Sequence, residues 1–531
     1  MQSPVPLASA SAPANTLAGE RLYREGLLPS GEPLRGSRPT GMDTQGSDAA
    51  CERCHRRSGF GTTEGRLVIP PITGKYLFRP RGPQSEKLDL RYLPDYQTGR
   101  APYDAASLAR AIRSGIGRDG RPLNVLMPRY ALDDSTMALL IDYLRQLSDG
   151  PAPGVTADTL HFATIITPDA DPVKRQAMLD VLQRFVADKN EFLRAGLRPL
   201  VSDRGVEYRV TRAWELHVWE LTGDPDTWEG QLDRHLAQTP VFAAISGIGA
   251  STWAPVQRFC ERARLPCLLP NIDLPVEEAD GDFYTVYFSR GVLLEAALIA
   301  HRLAGPPAAH PVRTVLQLAR AGDIGVAAAG ALRKDLAAAG IDVRSTVLEA
   351  QAPPAVLSGV LDRISGADAL VLWLRAADLR ALPERPPEGV DVYLSGDMAD
   401  LENAPLPAAW RSAALMAYPV DLPERRRARM NFPLGWMHLR HLPVVDERVQ
   451  TDTYVACGIV AEMVGEMLDV FVRDFLVERI EQMIGRRQVN GYYARLGLAS
   501  GQRFASKGGF LVHLAGPDGR LVVPEGEWIV P

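Results

Sequence analysis

The run Cys51-Glu-Arg-Cys54-His55 constrains this chain more than any other feature. Two thiols three positions apart on one helical turn can reach the two vinyl groups of a haem. The next residue then presents its imidazole to the iron. The competing use of such thiols is half of a zinc site. No second CxxC and no paired His/Cys cluster follows, so zinc would lack its remaining thiolates. One covalent haem c is therefore expected, attached through Cys51 and Cys54, with His55 as an axial ligand of the iron.

An iron held from one side by imidazole takes a sixth ligand or keeps an open site, and a thioether there raises the potential. Met127, in Gly120-Arg-Pro-Leu-Asn-Val-Leu-Met127-Pro128, lies on a Pro-stiffened loop and is the expected sixth ligand. Met137 is the alternative. It falls inside the following helix, Ser135 to Leu147, where core packing is the simpler role. Pro70-Pro71 is expected to frame the proximal side of the haem near His55, with Pro71 as a cofactor contact. Residues 16–149 resemble the class I c-type cytochromes at three points. These are Gly19-Glu-Arg-Leu-Tyr23, the motif Cys51 to His55, and the stretch from Ile116 through Met127-Pro-Arg-Tyr130 to Tyr143-Leu-Arg145. The resemblance implies a mainly α domain. Covalent haem is added outside the bacterial cytoplasm, so it also implies an exported, periplasmic protein. Met1 to Ala14 is rich in Pro, Ser and Ala and has no basic segment followed by an apolar one. A signal peptide is thus expected to be absent from this chain, and residues 1–15 read as a disordered lead-in.

At 531 residues the chain is too long for one core. A net charge of −5 argues against a broad nucleic-acid surface. No apolar run reaches the ~18 residues of a membrane span. Asp149-Gly-Pro-Ala-Pro-Gly154 is a linker signal, placing a linker at 150–157. Beyond it, strand-like runs alternate with helical ones: Leu160–Ile166, Lys174–Leu193, Val241–Ile245, Trp253–Arg264, Val292–Leu303, Thr314–Leu318 and onwards. Such alternation implies parallel sheets covered on both faces. The opening strand, the run Gln238 to Thr252, Leu265-Pro-Cys-Leu-Leu-Pro270 and Tyr287-Phe-Ser-Arg290 resemble the type I periplasmic solute-binding proteins. The fold class expected is therefore multidomain: a mainly α cytochrome c domain followed by an α/β two-lobed periplasmic-binding-protein-like region at 158–490. Lobe one covers about 158–305 plus a returning helix at 446–484, and lobe two about 310–440. Residues 491–531 read as a β-rich tail.

The resemblance implies a ligand cleft between the lobes. The loop Ser246-Gly247-Ile-Gly-Ala-Ser251-Thr252 joins a buried strand to a helix start. Its exposed amides and hydroxyls make a seat for a carboxylate or other polar group; the alternative is that Ser251 or Thr252 only caps the helix. Ser289 and Arg290 stand at another strand-to-helix junction, where Arg290 either pairs with an anion or is a surface residue. Trp253 and Tyr418 are either cleft walls or core. Gly247-Ile-Gly249 lacks the third glycine of a dinucleotide fingerprint. Cys260 and Cys267 are separated by a turn and form either a disulfide or two buried thiols; Cys457 reads as a core thiol.

No Ser-His-Asp signature, HExxH helix or P-loop is present. His161, His217, His235, His301, His310, His438, His441 and His513 are scattered and read as structural. An electron carrier or binding protein is thus expected rather than an enzyme. The principal reading is a periplasmic haem c electron-transfer protein fused to a small-molecule-binding module, serving a dehydrogenase or another cytochrome. The alternatives are a solute receptor for import or signalling with haem as redox sensor, and a docking scaffold with no small-molecule ligand.

Overall fold

The computed structural model describes residues 14–78, 101–150, 152–194, 200–201, 207–208, 212–277, 279, 281–305, 312–362, 364, 366–467, 470–486 and 491–531. Most of the expected lead-in, along with Pro151 of the linker and His310, lies outside the described residues. None of the described helices is long and apolar enough to cross a membrane.

The N-terminal unit is built on two crossing helices, Ala14–Arg24 and Asp134–Gln146. Gly19 makes the crossing possible, because a Cβ there would lie 2.5 Å from the Leu139 carbonyl oxygen and 2.8 Å from Tyr143 Cβ. Leu22, Tyr23, Leu108, Ile112, Leu140 and Leu144 fill the space beneath. Asp104 and Asp133 cap the helices Ala105–Ser114 and Asp134–Gln146 by accepting from backbone N–H groups three residues on. Short helices at Glu52–His55 and Gly74–Phe78 complete the unit.

Lobe one is a five-stranded, all-parallel sheet. Its order is Thr285–Val286, Cys267–Leu268, Ala243–Ile245, Thr159–Ile166, Ala213–Glu220. Alternation along Thr159–Ile166 sends Leu160 and Phe162 to one core and Ala163 and Ile165 to another. The centre of the sheet is therefore buried on both faces, while the edge strand Ala213–Glu220 stays partly exposed. Lobe two runs Asp342–Leu348, Thr314–Arg320, Ala369–Trp373, Asp391–Ser395, Ala414–Tyr418, all parallel. Two antiparallel strands then extend it, Phe510–Ala515 and Leu521–Pro524, with Tyr418 opposite Phe510.

Three boundaries differ from the sequence reading. The stretch 491–531 is not a separate tail, since it supplies those two strands. The helix Val292–Ala304, expected in lobe one, packs through Val292, Leu294, Leu298 and Ile299 against Val315, Trp373 and Ala417 of the second sheet. The returning helix is two helices, Glu447–Met467 and Arg473–Met483. The apolar period runs through the break, but Phe471 leaves the helix to pack edge-on against Phe242, with ring centroids 6.0 Å apart.

Helix Arg473–Met483 also receives the N-terminal unit. Glu478 accepts hydrogen bonds from Ser58 N (2.8 Å) and Ser58 Oγ (2.5 Å). Glu481 pairs with Arg56 and with Arg503. Asp474 pairs with Arg24 at 3.2 Å, and Glu20 with Arg264 at 2.7 Å. Phe60 packs at a tilt on Phe475, ring centroids 4.7 Å apart, and the Arg57 guanidinium lies 4.6 Å over the Phe283 ring. Burial pushes the Glu478 carboxyl up to about 8, against the pull of Arg56 and Ser58. The folded protein then holds a proton that the unfolded chain releases above its ordinary value of 4.5. The contribution is fully present below that value and is lost as pH rises through the folded value. Melting temperature should therefore fall between about pH 5 and about pH 8, and Glu478→Gln, which keeps an acceptor for Ser58 N, should flatten that slope. An unchanged slope in the variant would show that the docking carboxylate is already ionised.

Candidate functional site

Two constellations stand out, one in the N-terminal unit and one between the lobes. In the first, Cys54 N and His55 N both donate to Cys51 O, at 3.2 and 2.8 Å, so the two sulfurs and the imidazole share a single turn. Both cysteines are half-buried, and neither is in a disulfide. His55 Nδ1 lies 2.8 Å from the Pro70 carbonyl. With Nδ1–H donating there, Nε2 is the nitrogen left to bind a metal. Burial holds the imidazole below its ordinary pKa despite that carbonyl, which favours the neutral ligand form. Pro71 is buried on the same turn. Gly61, at φ +70, allows the return, since a Cβ would meet the Ile69 carbonyl at 2.0 Å.

Met127 is half-buried on a loop fixed from three sides. Arg129 Nη1 donates to its carbonyl at 2.7 Å, Arg38 Nε to Leu126 O at 2.8 Å, and Leu126 N to Asn124 Oδ1 at 3.0 Å. Met137 is 2% exposed and belongs to the helical core. Two thiols on one turn, an imidazole aimed by a carbonyl and a thioether on an anchored loop are a donor set that fits a covalently attached haem.

The second constellation is a cleft of about 580 Å³ at the carboxyl ends of both parallel sheets, where α/β sheets place ligands. Nine acidic side chains and three basic ones, Lys174, Arg375 and Arg448, line it. Arg375 of lobe two spans to Asp273 of lobe one at 3.8 Å. Arg448 Nη1 pairs with Asp397 at 2.6 Å, and its Nε lies 3.9 Å from Asp452. One oxygen on each of these two carboxylates, Asp397 Oδ2 and Asp452 Oδ1, is buried and has no hydrogen-bond partner among the described residues. Burial raises both groups, and Asp452 is pushed up to about 7, with Arg448 opposing. Unsatisfied buried carboxylate oxygens are costly, and both lie beneath the cleft surface rather than on it.

At the loop Ser246–Thr252, where an anion seat is expected, the donors are taken by a carboxylate of the chain itself. Ser251 N donates to Asp169 Oδ2 at 2.8 Å, Ser251 Oγ donates to the same carboxylate, and Thr167 Oγ1 donates to Asp169 Oδ1 at 2.5 Å. Partial burial opposes ionisation of Asp169, yet these hydrogen bonds outweigh it and hold the carboxyl below its ordinary value. Ser246 is buried at φ +56 and accepts from Asn271 Nδ2 at 2.8 Å beside Thr453. It ties the returning helix to the sheet and is not near-surface. Gly247, at φ +114, lets the loop pass Ile165 and the Trp253 ring.

Thr252 Oγ1 accepts from Ala254 N at 3.3 Å, a helix-start contact. Trp253 is core, 1% exposed. Arg290 is outside the cleft lining, 4.0 Å from Glu277. Tyr418 is buried, donating to Glu402 Oε2 and accepting from Arg426 Nη1, each at 2.7 Å. Of the named candidates only Ser289 lines the cleft, with Ile248, Gly249 and Ala250 from the middle of the loop. Cys260 and Cys267 are two buried thiols in hydrogen-bond contact rather than a disulfide, one ending a helix and the other opening a strand in the same apolar cluster. The functional residues missed are Asp169, Asp397, Arg448 and Asp452. A signal existed for the first: Thr167-Pro-Asp-Ala-Asp-Pro172 follows the first strand, and Asp171 caps the next helix by accepting from Val173 N and Lys174 N.

No family model matches the chain, and no curated protein sequence matches it. Solved structures do match. A branched chain amino acid ABC transporter from Thermus thermophilus with bound valine is 12% identical, covering 70% of this chain and 97% of that one, with a TM-score of 0.52. A fatty acid ABC transporter substrate-binding protein from Thermomonospora curvata is 14% identical, covering 72% and 95%, at 0.51. A solute binding protein of an ABC transporter from Rhodopseudomonas palustris BisB5, in complex with 3,4-dihydroxybenzoic acid, is 14% identical, covering 70% and 98%, at 0.50. Over about 70% of its length this chain has the two-lobed fold of the type I periplasmic binding proteins.

Proposed function

We propose that this protein is an exported solute receptor that carries one covalent haem c on its N-terminal unit, and that its cleft takes a ligand rich in positive charge or hydrogen-bond donors. The observation that carries the ligand reading is the pairing of occupied loop donors with an acidic lining. Asp169 occupies the Ser251 amide and hydroxyl, while nine acidic side chains against three basic ones line the cleft. Valine and 3,4-dihydroxybenzoic acid, held by two of the similar structures, are both carboxylates. In this chain a carboxylate would meet repulsion from an acidic lining, and an amine or a polyol would meet acceptors.

On the N-terminal unit, Cys51 and Cys54 would form the thioethers, His55 Nε2 and Met127 the axial bonds, and Pro71 a wall beside His55. The bound group supplies a one-electron iron couple. Pro70 fixes the imidazole by accepting its Nδ1–H, and Arg129, Arg38 and Asn124 hold the Met127 loop in place. Electron transfer to a dehydrogenase or another cytochrome is the second reading. Val125 and Leu126, next to Met127, favour it: they are 52% and 44% exposed, an apolar spot on which a redox partner can dock.

Met127→Ala should abolish the weak long-wavelength band of a ferric His/Met haem, lower the midpoint potential and open the iron to added ligands. Met137→Ala should lower stability and leave that band. The reverse pattern would reassign the sixth ligand. In the cleft, a saturating ligand at a hundredfold excess over Kd should stabilise the protein by about 2.7 kcal/mol. A thermal-shift screen should find hits among amines and polyols rather than small carboxylates. Amine affinity should fall as pH drops below about 7, where Asp452 takes up a proton, and Asp452→Asn should remove that dependence. Stabilisation by carboxylates alone would contradict this assignment.

A further inference from the structure

Toward the amino ends of the lobe-one strands, opposite the cleft, two histidines and a glutamate converge. Strands Thr159–Ile166 and Ala213–Glu220 pair in parallel, with His161 opposite Glu215 and Ala163 opposite His217. Because side chains alternate, Glu215 and His217 emerge on one face and flank His161 from the neighbouring strand. His161 Nδ1 is 3.1 Å from His217 Nε2. Each nitrogen also reaches a Glu215 oxygen, His161 Nδ1 at 3.5 Å and His217 Nε2 at 3.7 Å. The rings lie 5.4 Å apart at 20°. The cleft is at the carboxyl ends of these strands, and His161 sits five residues back from Ile166, about 17 Å along the strand.

We propose that His161, Glu215 and His217 form a site for a divalent transition metal of the zinc class. Donors each about 2.0–2.1 Å from one ion lie about 3 Å apart at a right angle and about 3.3 Å apart at the tetrahedral angle. The three donor groups already stand within a few tenths of an ångström of that spacing, on two hydrogen-bonded strands that fix their Cα positions. Two imidazoles and one carboxylate suit zinc, copper or nickel. Magnesium and calcium, which seek oxygen donors, are disfavoured. Both histidines are half-buried and Glu215 is exposed, so the site opens to solvent and leaves a fourth position to water. On binding, the proton shared between the two facing nitrogens moves to the outer nitrogen of its ring, and both facing lone pairs go to the metal.

The test uses the full-length, haem-loaded protein, stripped with a chelator and titrated with zinc by calorimetry, with bound zinc counted against haem iron after dialysis. One zinc per haem iron is expected. A His161→Ala/His217→Ala double variant should bind it at least about tenfold more weakly, and Glu215→Gln should be weakened too. His438→Ala, on the helix Pro423–Leu439, should bind as the parent does. The haem spectrum and melting curve of each variant confirm that it is folded. Absence of stoichiometric zinc in the parent, or its retention by the folded double variant, would overturn the proposal.

Discussion

One helix, Arg473–Met483, holds three parts of this protein together through buried charge. Arg473 donates to the carbonyls of Val241 and Phe242 at 2.5 and 3.2 Å, fixing the entry to the third strand of lobe one. Asp474 joins Arg24 of the N-terminal unit to Tyr284 of lobe one. Glu478 takes Ser58, and Glu481 takes both Arg56 and Arg503, whose own Nη1 reaches the Phe283 carbonyl at 2.6 Å. Ion pairs of this kind carry a desolvation cost, so they give positional specificity more than net stability. Their effect is to seat the Cys51–His55 turn against lobe one by contacts one and three residues downstream of His55.

The cleft carries the opposite emphasis. There the carboxylates are not fully paired, and the strand ends that usually offer amides to an anion are occupied by Asp169. Fold and ligand chemistry thus separate. The two parallel sheets are those of a broad group of solute receptors, while the lining of this cleft is acidic and its anion seat is closed. Similarity at 12–14% identity reports the architecture and no more.

The sequence made some of this legible for physical reasons. A helical turn with two thiols and an imidazole is local, so Cys51, Cys54 and His55 could be placed together without knowing the fold. The βα alternation is also local, and it located most strands to within a few residues. What stayed hidden depends on contacts distant in sequence. Ser251 looks like an open donor until Asp169, far upstream, is seen to fill it. Trp253 and Tyr418 were ambiguous between wall and core because apolar period does not say which core. The tail could not be assigned to lobe two, because the pairing of Phe510 with Tyr418 is antiparallel and leaves no mark in the βα rhythm. His161 and His217, apparently scattered, meet only through strand pairing.

The ion pairs along Arg473–Met483 predict that the N-terminal unit and lobe one move as a single rigid body. Cys260, Cys267 and Cys457 are buried, so a cysteine placed at exposed Ala237 on the helix Trp228–Gln238 can be spin-labelled selectively in protein carrying the proposed haem on Cys51 and Cys54. Pulsed dipolar EPR between that label and the ferric haem should give one narrow distance distribution. A broad distribution, as from a domain swinging on the linker at 150–157, would contradict the account.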